Sequence, residues 1–374
     1  MTLWPEAARP ATCSAPNGHK EIIMLRSTLS SIRVAILTGT AIIALTGSLH
    51  AQEREVLDLS IATAADIANF NTTTASVFRL ADELGYFERH GVNVTFVAVD
   101  GTPQAAAALY SGAVDLSYIT IDTAIRLRAE NDVKVRGFAS VSNGISFLIA
   151  AQTDITTVEE LVGRSFAIND YGSLDHELTS AVLRAYGMNA EEPAYVAIGS
   201  PDVRVQALAA GQVDATTVSF GTYASIETIE GIHVLVTPDE FTRRSPALSK
   251  FIVALESTID EKEEAIQRFT DAIIEASRAL QADPEGWVDM AAAARPDLTR
   301  DNLERTAGLN ETRWCINGCM NPTELTKTMD FIYANPDFVD VPVISYEDIT
   351  DLSFTTRALE KMGVATGPGL DARE

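Results

Sequence analysis

A nine-residue corner occurs twice in this chain, 99 residues apart, and it limits the possible folds more than any other feature. Leu109-Tyr-Ser-Gly112-Ala-Val-Asp115-Leu-Ser117 and Leu208-Ala-Ala-Gly211-Gln-Val-Asp214-Ala-Thr216 carry Leu, Gly, Val and Asp at the same offsets and close on a small hydroxylated residue. In each, a helical stretch stops at a glycine, which takes the left-handed cap without a Cβ penalty, and an apolar strand starts at once. The matching helices before and strands after predict internal pseudo-symmetry, one α/β unit built twice.

The surrounding pattern agrees. Leu57–Ala62, Val92–Val99, Val114–Ile119, Val133–Val141 and Phe147–Ala151 read as strands, and Thr74–His90, Pro103–Tyr110 and Asp122–Glu130 as helices between them. The rhythm restarts with a strand at Ser165–Ile168, a helix at Leu174–Tyr186, a strand at Ala194–Ile198, a helix at Val203–Ala210 and a strand at Val213–Val218. Alternating strands and helices predict mostly parallel sheets covered by helices, fold class α/β. After a strand at Phe251–Leu255 the chain becomes helical, with segments at Asp260–Gln281, Asp301–Leu309, Pro322–Ala334 and Leu352–Met362. At 374 residues two domains are expected. A chain that crosses between them near 150 and returns near 250 makes the first discontinuous: residues 52–150 plus 250–374 form lobe one and 151–249 lobe two.

The N-terminus predicts export. An apolar core from Val34 to Leu45 follows Arg26 and Arg33 and ends at Leu49-His50-Ala51, the basic, apolar and small-residue order of a secretory signal. Residues 1–51 are therefore read as an extension and signal peptide, with Met24 the more natural initiator and cleavage after Ala51. The core is shorter than the roughly 20 apolar residues of a membrane span. Localisation is expected to be the periplasm. Cys315 and Cys319 would then be the cysteines left in an oxidising compartment, and they are expected to form a local disulfide, with free thiols or half of a metal site as alternatives. A formal charge of −24, from 28 basic and 52 acidic residues, repels nucleic acid and anionic lipid.

Several segments resemble one family. Phe78-Arg-Leu-Ala-Asp-Glu-Leu-Gly85-Tyr-Phe87-Glu-Arg-His-Gly91-Val-Asn-Val94, Leu109–Asp115, Thr157-Val-Glu-Glu-Leu161-Val-Gly163-Arg-Ser165-Phe-Ala167 and Gln206–Ala215 are similar, in order and spacing, to the nitrate/sulfonate/taurine and thiamine-pyrimidine solute-binding proteins, the NMT1/THI5-like and SsuA-like family. The resemblance runs from about Leu57 to Leu255. It implies a type II periplasmic binding fold with ligand held between two lobes, no cofactor, and delivery by a monomer to the permease subunits of an ABC importer. A periplasmic receptor signalling to a membrane kinase is the second reading.

In open α/β sheets, ligands gather beyond the carboxyl ends of the strands. That rule nominates Asp66, Asn69 and Phe70 after the first strand, Tyr118 and Thr120 after the third, and Asn143 after the fourth. In lobe two it nominates Asp170, Tyr171 and Ser173 ahead of a helix, and Ser219 and Phe220 after a later strand. Ser173 and Asn69 could equally cap helices, and Phe70 and Phe220 could be core. The set is aromatic and hydroxyl-rich, and these loops carry no Lys or Arg, so a pyrimidine-like or other nitrogen-containing ring compound is expected ahead of a sulfonate or taurine-type anion. Helix N-termini can nevertheless hold an anion. His176, on the second-lobe helix, is a lesser candidate. No Gly-x-Ser-x-Gly, His-Glu-x-x-His, Walker loop or zinc-spaced cysteine set is present, and the chain is not expected to be an enzyme.

Overall fold

The computed structural model describes residues 55–64, 70–144, 146–245, 248–367 and 371. The chain separates into Met1–Gln52 and Glu53–Glu374. The first unit, with the expected signal peptide, Met24 and the cleavage position, lies outside the described residues, as do Asp66 and Asn69.

Among the described residues, ten strands form two five-stranded sheets. The first contains β1 (Leu57–Thr63), β2 (Val92–Ala98), β3 (Leu116–Thr120), β4 (Val135–Ala139) and β10 (Lys250–Leu255) in the order β2-β1-β3-β10-β4. The second contains β5 (Phe147–Gln152), β6 (Ser165–Ile168), β7 (Ala194–Ala197), β8 (Ala215–Ser219) and β9 (Ile232–Val236) in the order β7-β6-β8-β5-β9. Each sheet carries one antiparallel strand in the fourth place, β10 in the first and β5 in the second. The orders superpose strand for strand, so the two lobes share one plan. The expected strand at 147–151 lies wholly in the second sheet, although a boundary at 150 would divide it. The chain leaves the first sheet after Ala139 and rejoins it at Lys250.

The repeated corner explains the shared plan. In lobe one the Asp115 carboxylate accepts from the backbone and hydroxyl of Ser60 (2.8 and 2.9 Å), and Asp115 N donates back to Ser60 Oγ (3.0 Å). In lobe two Asp214 does the same with Ser165, at 2.8, 2.6 and 3.0 Å. Each aspartate also meets a cation, Lys262 at 2.7 Å and Arg164 at 3.4 Å. The hydroxylated residue two places on differs in its partner: Thr216 donates to the carbonyl of Ala167 on the adjoining strand at 2.9 Å, whereas Ser117 donates to the carbonyl of Ala105 on the preceding helix at 2.8 Å. One motif therefore fixes the register of the central strand pair in both lobes.

The expected helix at 74–90 is two helices, Val77–Glu83 and Tyr86–His90, broken at Gly85 with φ 71°. The helical tail covers the first lobe. The helix Glu256–Ala282 buries Ile266, Phe269, Ile273 and Leu280 against β1, β10 and the early helices. Cys315 and Cys319 are joined by a disulfide, S–S 2.02 Å, and both are buried in the first-lobe core beside Leu325 and Met329. No helix among the described residues is long and apolar enough to cross a membrane.

Candidate functional site

A cavity of about 350 Å³ lies between the lobes, lined by both. Three helices begin on it: Thr102–Tyr110 from lobe one, and Leu174–Ala185 and Pro201–Ala209 from lobe two. None of the three is capped by the side chain of its own N-cap residue. Their first-turn N–H groups and positive dipole ends therefore face a shared space.

Four of the nominated residues line this cavity: Phe70, Tyr118, Ser173 and Ser219. Phe70 packs against Trp287 at 5.9 Å between centroids. Tyr118 is buried, which pushes its phenol pKa up. Ser173 does not cap its helix. Its hydroxyl lies 2.6 Å from the carbonyl of Asp170 and 2.8 Å from Asp175 Oδ1. Ser219 holds the start of the next short helix by accepting from Thr222 N.

Five others are placed elsewhere, each for a visible reason. Thr120 is fully buried, its hydroxyl 2.7 Å from that of Thr123. Asn143 lies in the outgoing crossing, where its N–H donates to the Arg313 carbonyl. Asp170 stands at the rim and accepts from Gln104 of the opposite lobe at 3.3 Å. Tyr171 is 57% exposed, its hydroxyl turned to the Tyr195 carbonyl. Phe220 packs on the second-lobe core under the Arg305 guanidinium, 5.0 Å from its ring. His176 is wedged between Tyr171 and Tyr195 and also lies off the cavity.

The expectation of a cleft without basic residues is overturned: Lys250, Arg204 and Arg295 line it. They come from places that a search beyond strand carboxyl ends skips. Lys250 is the first residue of β10, and because β10 runs antiparallel to β3, Lys250 pairs with Thr120 at the carboxyl edge of that strand. Phe147, the first residue of antiparallel β5, reaches the cavity by the same logic opposite Ser219. Arg204 comes from a helix and Arg295 from the end of another. An inward-facing base at the start of an antiparallel strand is a usable signal only once strand direction is known.

The three cations differ in their surroundings. Arg295 is matched by Asp297 at 2.7 Å, which holds its guanidinium pKa above the ordinary value. Arg204 is 3% exposed and sits 3.3 Å from Asp175; burial nevertheless draws its pKa down. Lys250 is 8% exposed, and among the described residues its ammonium has no ion pair or hydrogen bond, lying 5.5 Å from the centre of the Tyr118 ring. Burial lowers its pKa to about 8, against the opposing pull of Asp175 and Asp122. Three further buried polar atoms on the lining lack partners: Thr102 Oγ1, Asn169 Oδ1 and Arg204 Nε. Buried polar atoms are rarely left unpaired without a reason, and a ligand is one.

The lobes touch around the rim. Asn169 Nδ2 donates to the Asp100 carbonyl at 2.8 Å, Glu227 accepts from Asn302 and Arg305 at 2.6 Å each, and Arg184 pairs with Asp337 at 2.6 Å.

The family described as NMT1/THI5 like matches residues 69–286, more than half of the chain. The chain belongs to the NMT1/THI5-like family. Among curated relatives, a provisionally named binding protein of Brucella abortus is 28% identical over 233 residues, 62% of this chain and 71% of that one. Among solved structures, the ligand-binding component of an ABC-type import system from Staphylococcus aureus, with zinc bound, aligns at TM-score 0.63 and 15% identity, covering 82% of this chain and 99% of that one. The alkanesulfonate-binding protein SsuA of Xanthomonas axonopodis pv. citri, bound to MOPS, aligns at 0.58 and 19%, covering 82% and 98%. At these identities the structures establish the fold, and the two-lobed periplasmic binding architecture expected of this NMT1/THI5-like chain is the one found.

Proposed function

We propose that this chain is the solute-binding component of an ABC importer and that it captures a small organic anion, of the sulfonate or carboxylate class, between its lobes. The observation that carries the ligand class is Lys250, a buried ammonium with no ion-pair or hydrogen-bond partner among the described residues, on a cavity where three uncapped helix N-termini meet. A positive charge withdrawn from water is stabilised most by an anion brought to it, and helix N-termini add to the same field. Phe70 and Tyr118 supply flat apolar surface for the organic part, and Ser173, Ser219, Thr102 and Asn169 supply directed hydrogen bonds. Family membership and the likeness to importer components support capture rather than catalysis. Export to the periplasm, a monomeric state and permease partners belong to the same proposal, with lobe one ending after Ala139 and resuming at Lys250.

Calorimetric titration of the purified chain with ethanesulfonate, taurine, acetate, a pyrimidine and a simple amine tests this reading. Binding of at least one of the anions, with no heat from the amine, is expected. Tight binding of the pyrimidine or the amine with no response to any anion overturns the ligand class and restores the nitrogen-ring alternative.

A further inference from the structure

The disulfide lies in a turn that touches the joint between the lobes. The outgoing crossing runs alongside residues 313–318: Ser140 N donates to the Gly318 carbonyl (2.9 Å), Ser142 forms an antiparallel bridge with Trp314, and Asn143 N donates to the Arg313 carbonyl (2.8 Å). Arg313 also reaches Thr242 in lobe two at 3.2 Å. The return crossing is tied to the same lobe-one helical tail through Leu248 N and Thr328 Oγ1, 3.0 Å apart.

One buried residue joins these parts. Ser140, besides its bond to the turn, donates its hydroxyl to the Lys250 carbonyl at 2.6 Å. The backbone of the cleft's unpaired cation is thus one hydrogen bond from the outgoing crossing and two from the disulfide turn.

The turn is held in a conformation that it would otherwise leave. Cys319 has φ +54°, in the left-handed region that a non-glycine residue occupies only at a cost. Gly318 has φ +83°, and a Cβ there would meet Thr355 Cγ2 at 2.6 Å. The link from Cys315 and the Asp371 carboxylate, which accepts from Asn317 N and from Cys319 N, keep this shape. Without the covalent link, relaxation of Cys319 would carry the Gly318 carbonyl away from Ser140.

We propose that the disulfide-closed turn Cys315–Cys319 braces the joint between the lobes and, with Ser140 as the positioning residue, sets Lys250 in the cleft for ligand capture. The affinity part rests on the anion reading above; the brace itself does not.

The test compares the full chain with Cys315→Ser/Cys319→Ser and with Ser140→Ala, the second retaining the disulfide in case the first folds poorly. Native-state amide exchange should accelerate about tenfold at Ser140 and Asn143 in the double-serine variant while the β8 amides of lobe two stay unchanged. Ethanesulfonate affinity should fall about fivefold or more in both variants. In Ser140→Ala the pH at which that affinity is lost should also move towards the ordinary lysine value. Unchanged exchange at Ser140 and Asn143 in the double-serine variant, or acceleration spread evenly over both lobes, overturns the brace. Unchanged affinity and pH profile in Ser140→Ala overturns the positioning role. Where another of the anions named above binds in place of ethanesulfonate, the affinities are read with that anion; if the unaltered chain takes none of them, the anion reading falls and the exchange rates alone decide on the brace.

Discussion

A lysine ammonium that is 8% exposed and lacks an ion-pair partner among the described residues stands at odds with folding and in favour of binding. Lys250→Met should therefore do two opposite things. Anion affinity should drop about thirtyfold or more by calorimetry, while the unfolding midpoint of the ligand-free chain rises by roughly 2–4 °C. The sign of the pH dependence follows from a pKa lowered to about 8. Below 8 the lysine is charged in folded and unfolded chains alike and the burial penalty is complete. Between 8 and the ordinary lysine value the unfolded chain binds more protons, so the penalty is relieved as pH rises. The stability gain of Lys250→Met should accordingly be largest below pH 8 and shrink above it, and anion affinity of the unaltered chain should decline as pH rises past about 8. Reading the sequence forward from strand carboxyl ends reached Phe70, Tyr118, Ser173 and Ser219, because parallel strands dominate both sheets. It missed Lys250 and Phe147, because strand direction is a property of pairing with strands distant in sequence and leaves no local trace.

At the scale of elements, the helix–Gly–strand corner is legible in the sequence alone, since its Gly, Asp and hydroxyl positions repeat at fixed offsets. What the pattern did not disclose was the partner: Ser60 and Ser165 lie far from their aspartates in sequence and meet them only through strand order. Burial raises the pKa of Asp214, but the Ser165 bonds and Arg164 outweigh it and hold the carboxyl below its usual value. Its contribution is thus complete above pH 4 and lost as pH falls through the lowered value. Asp214→Ala should cost about 2–3 kcal/mol in urea unfolding at pH 7, with the gap to the unaltered chain narrowing in acid. A tighter constraint sits in β4. A Cβ at Gly137 would fall 2.0 Å from the Phe251 ring, and Gly137→Ala should destabilise lobe one by about 3 kcal/mol. The break at Gly85 shows the limit of periodicity: the apolar face continues through Val77, Leu80 and Ala81 to Phe87, while a left-handed glycine turns the axis between them.

Over the whole molecule, the two lobes pack tightly against each other at Gly221, where a Cβ would meet Thr72 Oγ1 at 2.1 Å. Thr72 belongs to lobe one and Gly221 to lobe two, so an added methyl acts as a wedge between lobes that leaves each core alone. Gly221→Ala should shift small-angle scattering towards a more open form and weaken anion binding about tenfold, with little change in unfolding midpoint; a large fall in midpoint would place the damage in lobe two instead. The rim has a further consequence, in time rather than in affinity. The bonds of Asn169 to Asp100 and of Asn302 and Arg305 to Glu227 stand across the route in and the route out alike. Their strength sets how long a captured molecule dwells before the lobes part, and it slows arrival by the same barrier. A variant with a weakened rim, such as Glu227→Gln, should exchange its cargo faster in both directions, and the dwell time of the natural rim would be the clock against which any permease has to act.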